Sequence, residues 1–190
     1  MVKNFNFKEI ECDFDYALAP HTKEKAKFSE REDGSLVNEY NDAIKGYDYI
    51  SLISKEEYSI GAQIDVDCYF EGTGAPCIVF TDDLREKDGI YEYGDHFEVC
   101  IYEGGLNVWY IIPWPERVAR PIKPTLLLEE KWKVCQSGVN CKVKFDKKRI
   151  TVQIEGRELV VENENMPEKF KIGFTACEGF CGFKSFSVES

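Results

Sequence analysis

Positive charge is scarce in this sequence: 24 lysines and arginines stand against 35 aspartates and glutamates, so the 190-residue chain carries a net charge of −11. Proteins that bind a phosphate backbone or an anionic membrane surface need a basic stripe. The densest basic stretch, Lys142–Arg149, is interleaved with strand residues and a turn. We therefore expect no nucleic-acid partner and no membrane partner, and we interpret the acidic excess as a source of solubility.

Long apolar runs are lacking as well. None approaches the roughly 18 residues of a transmembrane helix, and Met1–Phe7 has no apolar stretch of the kind that a secretory signal carries. We expect a cytoplasmic protein whose eight cysteines are free thiols. With only two histidines, His21 and His96, no catalytic Cys–His pair can be argued without geometry. The oligomeric state is left open.

Helical periodicity is scarce, and two-residue periodicity dominates. Gly61–Phe70 alternates apolar with polar residues, and Cys77–Thr81 is a short apolar run, so both are predicted strands. Short helices are expected at most over Thr22–Glu30 and Thr125–Trp132. The remaining predicted strands, several of them joined by glycine turns, are Asp95–Glu103, Asn107–Ile112, Arg149–Glu155, Arg157–Glu162, Lys169–Ala176 and Gly182–Val188.

Strands that recur about every 8–12 residues with turn signals between them favour a sandwich or barrel. We predict one domain over residues 1–190, an all-β, two-sheet antiparallel β-sandwich of the jelly-roll kind. A strand near Phe5–Ile10 is expected to pair with Phe183–Val188. The residues predicted to be largely buried are Trp132, Ile150, Val152, Ile154, Phe174 and Phe186.

Proline is concentrated in one place, since four of the seven prolines lie between Pro113 and Pro124. Proline has no backbone N–H to give to a sheet, so this segment is expected to be a long, stiff surface loop. Such a loop is either a crossover between the two sheets or a wall of a functional site.

The second half of the chain resembles the concanavalin A-like lectin/glucanase superfamily, and within it the laminin-G-like and sugar-hydrolase branches. The resemblance covers residues 47–190. It rests on Trp132 followed by the hairpin Lys147–Leu159, on the hairpin Phe97–Gly105, and on the closing strands Phe170–Ala176 and Phe183–Val188. It implies the jelly-roll fold, which lectins, hydrolases, lyases and adhesion modules share, and so it does not fix a function.

One departure from that superfamily matters for catalysis. Its laminarinase-type members carry three carboxylates on one strand as E-x-D-x-x-E, and the nearest approach here is Asp95-His96-Phe97-Glu98. The catalytic residues of those members are therefore not transferred to this chain.

Candidate catalytic residues are instead His96 and Glu98, which lie two apart on a predicted strand and so point to one face. At that spacing one group can tune the other as an acid or base. A solvated strand face is the alternative. Aromatic and basic residues near this pair can stack on a sugar ring and bind its hydroxyls; the candidate ligand-binding residues are Trp109, Tyr110, Trp114, Arg117 and Arg85.

Two groups of residues offer metal ligands, but no metal and no cofactor is assigned. The acids Asp82, Asp83, Glu92 and Asp95 offer oxygen ligands to Ca²⁺, but they lack a spaced loop motif, and a solvated turn explains them. Four cysteines could supply thiolates to Zn²⁺, but their spacings differ from those of the usual zinc knuckle. These are Cys135, Cys141, Cys177 and Cys181.

The sequence therefore predicts a carbohydrate-binding, lectin-like protein. A glycoside hydrolase or lyase acting on an oligosaccharide is the first alternative, and a non-catalytic protein-interaction domain is the second. A deep cleft with two convergent titratable groups would favour the enzyme, and a flat apolar patch would favour the interaction domain.

Overall fold

The computed structural model describes residues 1–18, 27–38, 49–87, 89–114 and 122–190, and these are mostly β-strand. In chain order the elements are β1 (Val2–Asn4), a 3-10 turn (Phe7–Glu9), α1 (Ile10–Asp13), β2 (Phe14–Leu18), β3 (Phe28–Glu30), β4 (Leu36–Asn38), β5 (Tyr49–Ser54), β6 (Tyr58–Ser59), β7 (Gln63–Glu71), β8 (Ala75–Thr81), β9 (Leu84–Lys87), β10 (Ile90–Tyr93), β11 (His96–Tyr102), β12 (Gly105–Pro113), β13 (Ile122–Lys131), β14 (Val139–Asp146), β15 (Arg149–Ile154), β16 (Arg157–Glu162), β17 (Lys169–Cys177) and β18 (Phe180–Glu189).

The described strands form two sheets. The smaller has the order β16-β15-β14-β7-β18-β4-β3, and β1 also pairs with β18. The larger has the order β13-β12-β11-β8-β17-β5-β2-β10-β9, and β6 adds to β17. The pairing is antiparallel apart from β10 with β2. This architecture confirms the predicted all-β sandwich.

Residue alternation explains why these segments become strands. Along β7 the residues Ile64, Val66, Cys68 and Phe70 are buried while those between them are half-buried. Strand β8 is buried at every position, as its continuous apolar run predicts. The turn between β15 and β16 falls at Glu155–Gly156, where both residues have positive φ, as two-residue hairpins of this type require.

The core lies between the two sheets, and Phe174 of β17 is at the centre of its aromatic part. Its ring centroid lies 4.7–6.0 Å from those of five other phenylalanines. Five of the six residues predicted to be buried are fully so. The exception is Trp132, which is half-buried with its Nε1 donating to Glu155 Oε2 at 2.6 Å.

Both predicted helices are wrong where the structure describes them. Residues 125–131 belong to β13, an edge strand that pairs with β12 along its whole length. The three consecutive leucines of this segment do not alternate with polar residues, and at the sheet edge Leu126 is exposed. Of Thr22–Glu30, the last three residues form β3, and residues 22–26 lie outside the described ranges.

The predicted N-terminal pairing is right in its partner and wrong in its bounds. Strand β1 ends at Asn4 and pairs with Ser187–Glu189 of β18, and the Phe5 N–H donates to the Phe186 carbonyl at 3.1 Å. The chain then turns into the 3-10 turn and α1. The side chains of Phe7 and Ile10 still enter the core, so their apolar spacing served helical turns rather than a strand.

The ends of the proline-rich segment are also strands rather than loop. Strand β12 continues to Pro113, and β13 begins at Ile122 and includes Pro124. The segment therefore links two neighbouring strands of one sheet and is not a crossover between sheets. Residues 115–121, the middle of the predicted loop, lie outside the described ranges. Within those ranges, no helix has the length and apolarity needed to span a membrane.

Candidate functional site

The two faces of the larger sheet have different chemistry, and β11 shows the division. Phe97, Val99 and Ile101 point into the core between the sheets. His96, Glu98 and Cys100 alternate with them and so lie on the outward face. Although outward, His96 is 1% exposed and Glu98 is 5% exposed.

The His96–Glu98 pair lies on one strand face, as predicted. His96 Nε2 is 3.5 Å from Glu98 Oε1, and His96 Nδ1 is 2.8 Å from the Gly94 carbonyl oxygen. A carbonyl can only accept, so Nδ1 carries a hydrogen and Nε2 is the nitrogen that faces the carboxylate. The His96 imidazole and the Glu98 carboxylate therefore face each other on the outward side of β11.

Two aromatic residues flank the pair. The Tyr93 ring centroid lies 5.0 Å from that of His96. The Tyr93 hydroxyl lies 2.6 Å from Ser51 Oγ, and burial raises the pKa of Tyr93 far above its ordinary value. Trp109 of β12 is the cross-strand partner of Glu98, so it shares the outward face and is half-buried there.

Tyr110 lies on the opposite face from the pair, stacked on Phe97 at 4.7 Å between ring centroids. Its hydroxyl donates to Asp95 Oδ2 at 2.7 Å. Burial first, and this hydrogen bond second, raise the pKa of Tyr110 to about 12. Of these two adjacent aromatics, one of which was expected beside the pair, Trp109 shares the face of His96 and Glu98 and Tyr110 does not.

Tyr110 opens onto a cavity of about 250 Å³, which we call the end cleft. It lies at the end of the sandwich. The β8–β9 turn, the start of β11, the second half of β12 and the β16–β17 connection surround it. Its lining residues are Thr81, Asp82, Asp83, Asp95, Phe97, Tyr110, Asn165 and Pro167.

The acidic turn beside the end cleft is tied together by hydrogen bonds to the Asp83 carboxylate. The Arg85 Nε donates to Asp83 Oδ1 at 3.1 Å, and the Asp95 N–H donates to Asp83 Oδ2 at 3.1 Å. The Arg85 guanidinium, followed by the Asp95 N–H, holds the pKa of Asp83 below its ordinary value. Asp83 is thus already partnered, whereas Asp82 is exposed at the mouth of the cleft.

Of the two other predicted ligand-binding residues, one lies within the described ranges. Trp114 is half-buried immediately after β12. Arg117 lies outside the described residues, as does the middle of the loop predicted to form one wall. Asn165 and Pro167 of the cleft carried no sequence signal, because they come from a connection distant in the chain from β11.

A group of thiols on the outward face was also missed. Cys100 pairs directly across from Cys77 of β8, and Cys177 of β17 packs against Cys77. Burial raises the pKa of Cys77 well above its ordinary value. The hydrogen bond with Cys77 lowers the pKa of Cys100, but burial and the Glu98 carboxylate outweigh it and raise that pKa to about 11.

The four cysteines considered for zinc from their spacing do not come together. Cys141 and Cys181 lie in the core between the sheets, Cys135 is exposed, and Cys177 belongs with Cys77. All eight cysteines are free. Whether they titrate as eight thiols in solution stays a prediction.

Comparisons with solved structures identify the fold. The carbohydrate-binding module CBM66 from Bacillus subtilis aligns over 94% of this chain and 96% of its own, with a TM-score of 0.66 and 8% identity. LamA of Zobellia galactanivorans, in complex with laminaritriose and laminaritetraose, aligns over 99% and 98%, with a TM-score of 0.62 and 10% identity. The kappa-carrageenase of Pseudoalteromonas carrageenovora, in complex with an oligotetrasaccharide of kappa-carrageenan, aligns over 98% and 92%, with a TM-score of 0.59 and 7% identity.

The chain is accordingly a jelly-roll sandwich of the concanavalin A-like kind, as the sequence resemblance implied. Identities of 7–10% establish a shared fold alone. No protein-family model matches the sequence, and the search of curated proteins gives no match.

Proposed function

We propose that this protein binds carbohydrate, and that the end cleft is the binding site. The observation that carries the proposal is the cleft itself, where carboxylate and amide groups converge beside an aromatic ring. A sugar needs this combination, because its hydroxyls hydrogen-bond while its C–H face packs on an aromatic surface.

The size and polarity of the end cleft suit one sugar ring. Its volume of about 250 Å³ corresponds to about eight waters at roughly 30 Å³ each, which accommodates a hexose. Asp82, Asp95 and Asn165 supply acceptors for hydroxyl hydrogens. Asp95 accepts from Tyr110 through Oδ2, and its Oδ1 can accept from a ligand hydroxyl.

The fold comparisons support this reading at the level of ligand class. The three neighbours described above comprise a carbohydrate-binding module and two proteins captured with oligosaccharides. A turn built on Asp83 and Arg85 would hold the cleft open without ligand, which lowers the ordering cost of binding.

A glycan array followed by calorimetry on the best ligand tests the proposal. Asp95→Asn and Asn165→Ala should each weaken binding by about 10-fold, the effect of about 1.4 kcal/mol. Glu158→Gln is the matched control, since it also turns a carboxylate into an amide but lies on exposed β16 of the other sheet. Loss of binding in the control, or unchanged binding in both cleft variants, would refute the end cleft as the site.

Glycoside hydrolysis is a second candidate, favoured by the His96–Glu98 pair at 3.5 Å. In this proposal the pair handles the proton of an acid–base step, and Trp109, Trp114 and Arg117 position the sugar. Release of reducing ends from oligosaccharides is the measurement. Glu98→Gln should abolish turnover while a ligand still binds, and Trp109→Ala should weaken binding without unfolding the domain. Turnover that survives in Glu98→Gln would exclude the pair.

A further inference from the structure

The outward face of the larger sheet carries a compact set of metal-ligating groups. The sulfurs of Cys77 and Cys100 and a carboxylate oxygen of Glu98 all lie within 4.8 Å of one another. Cys77 is 1% exposed and Glu98 is 5% exposed.

The sheet register explains why these three residues meet. Cys100 and Cys77 are direct cross-strand partners in β11 and β8, and such partners have Cβ atoms about 4.5–5.5 Å apart. Glu98 precedes Cys100 by two residues, so it lies on the same face. All three stand on central strands, where the backbone holds them in place.

We propose that Cys77, Cys100 and Glu98 form a binding site for a thiophilic divalent cation, with Zn²⁺ as the best match. Zn²⁺ takes Cys sulfur at about 2.3 Å and carboxylate oxygen at about 2.0–2.2 Å in a tetrahedral arrangement. Those bond lengths place the ligand atoms about 3.5–3.8 Å apart. The observed limit of 4.8 Å therefore requires only small rotations of side chains on a fixed sheet.

A second, independent feature points to the same place. The Oδ1 of Asn107 is buried and, among the described side chains, is the one buried polar atom without a hydrogen-bond partner. Asn107 is the cross-strand partner of Cys100, so it shares the outward face. In the proposed site, a water fills the fourth position on the cation and donates a hydrogen bond to the Asn107 Oδ1, which gives this buried oxygen a partner.

Neighbouring groups complete the surroundings of the site. His96 lies on the other side of Glu98, with its Nε2 3.5 Å from Glu98 Oε1. Cys177 packs against Cys77 on the same face. The site is separate from the end cleft, so it does not rest on sugar binding there. It competes with hydrolysis for Glu98, because a ligating carboxylate cannot also serve as the general acid.

Metal titration of the 190-residue chain tests the site. After treatment with a chelator under reducing conditions, the protein should bind one equivalent of Zn²⁺ by calorimetry. With Co²⁺ it should show visible bands of a tetrahedral ion together with a thiolate-to-metal charge-transfer band. Cys77→Ser and Cys100→Ser should each weaken Zn²⁺ by more than about 100-fold, beyond the 10–100-fold cost of losing an outer-shell partner. Asn107→Ala should weaken it by about 10-fold. Cys135→Ser, which alters an exposed cysteine, is the matched control and should bind as wild type.

A second measurement avoids variants that fail to fold. In the wild type, Zn²⁺ should slow alkylation of Cys77 and Cys100, located by peptide mass spectrometry, while leaving Cys135 unchanged. The proposal is overturned by the absence of one-equivalent binding, by a Co²⁺ complex without the charge-transfer band, or by equal Zn²⁺ affinity in a folded Cys77→Ser/Cys100→Ser double variant. Unchanged sugar binding in the folded double variant would show that the sugar site proposed in the end cleft is independent of the metal site.

Discussion

Asp95 and His96 are consecutive in the chain, yet their side chains serve opposite faces of the larger sheet. The Asp95 carboxylate accepts from Tyr110 at 2.7 Å in the end cleft, and the His96 ring meets Glu98 at 3.5 Å on the outward face. Asp95 lies in the bend just before β11, and His96 is the first residue of that strand. Two sites of different chemistry therefore lie back to back at the start of β11, and substitutions in one should act independently of the other.

Tyr110 should ionise late in an alkaline titration. Its pKa is raised from 10.0 to about 12, so the difference in tyrosinate absorbance between wild type and Tyr110→Phe should develop near pH 12. Asp95→Asn should move that ionisation to lower pH, because the carboxylate hydrogen bond contributes to the shift. A difference that develops fully by pH 10 would contradict the environment described for Tyr110.

The raised pKa of Tyr110 also makes the free energy of unfolding depend on pH. Below pH 10 the tyrosine is protonated in both states, so its contribution is fully present. As the pH rises from 10 to 12, the unfolded state releases the proton first and the contribution is lost. Urea unfolding should therefore show that wild type loses more stability over this interval than Tyr110→Phe does. Equal losses would refute the assignment.

Phe174→Ala should be among the most damaging core substitutions. The ring is fully buried and contacts five phenylalanines, so its removal leaves a large cavity and should cost about 3–5 kcal/mol in free energy of unfolding. Val160→Ala is the comparison, since Val160 is exposed on β16 and should change stability by less than about 0.5 kcal/mol. A cost below about 1 kcal/mol for Phe174→Ala would contradict the packing.

The two glycines of the β11–β12 hairpin should respond differently to alanine. Gly105 has φ 146°, and an added Cβ would lie 1.9 Å from the Glu130 carbonyl oxygen of β13, so Gly105→Ala should cost more than about 2 kcal/mol by pushing β13 away. A Cβ on Gly104 would meet only the Tyr102 ring, at 2.8 Å, and that side chain can move. Thermal unfolding of both variants measures the difference, and equal melting temperatures would contradict it.

Cys135 should be the most reactive thiol of the folded protein. It is exposed, and the hydrogen bond with the Ser137 hydroxyl lowers its pKa, which increases the reactive thiolate. At neutral pH it should react with a disulfide reagent faster than exposed Cys12, and Ser137→Ala should slow Cys135 while leaving Cys12 unchanged. Eight thiols should react after denaturation. Faster reaction at buried Cys77 would show that the outward face is open.

The sequence predicts a strand well where one face of the strand is exposed to solvent and a recognisable turn ends it. Strands β15 and β16 were predicted almost to the residue, because their alternation and the Glu155–Gly156 turn specify them locally. The prediction failed for β13, where a leucine run at a sheet edge has no alternation to read.

The candidate sites show a second limit. The shared face of His96 and Glu98 follows from strand period alone, and it was predictable. The meeting of Cys77 with Cys100 depends on the register of β8 against β11, and the end cleft depends on Asn165 approaching from the far side of the sandwich. Neither contact is encoded in nearby residues, so only the folded chain reveals them.

The positions of β17 and β18 in the two sheets determine when the nascent chain can complete its fold. Strand β17 lies between β8 and β5 in the larger sheet, and β18 lies between β7 and β4 in the smaller one. Both strands are synthesised after all of these neighbours. During translation, β7 and β8 therefore wait with unpaired edges, which are the surfaces that promote aggregation. A nascent chain should gain resistance to proteolysis only after β18 has left the ribosome, and in a single late step.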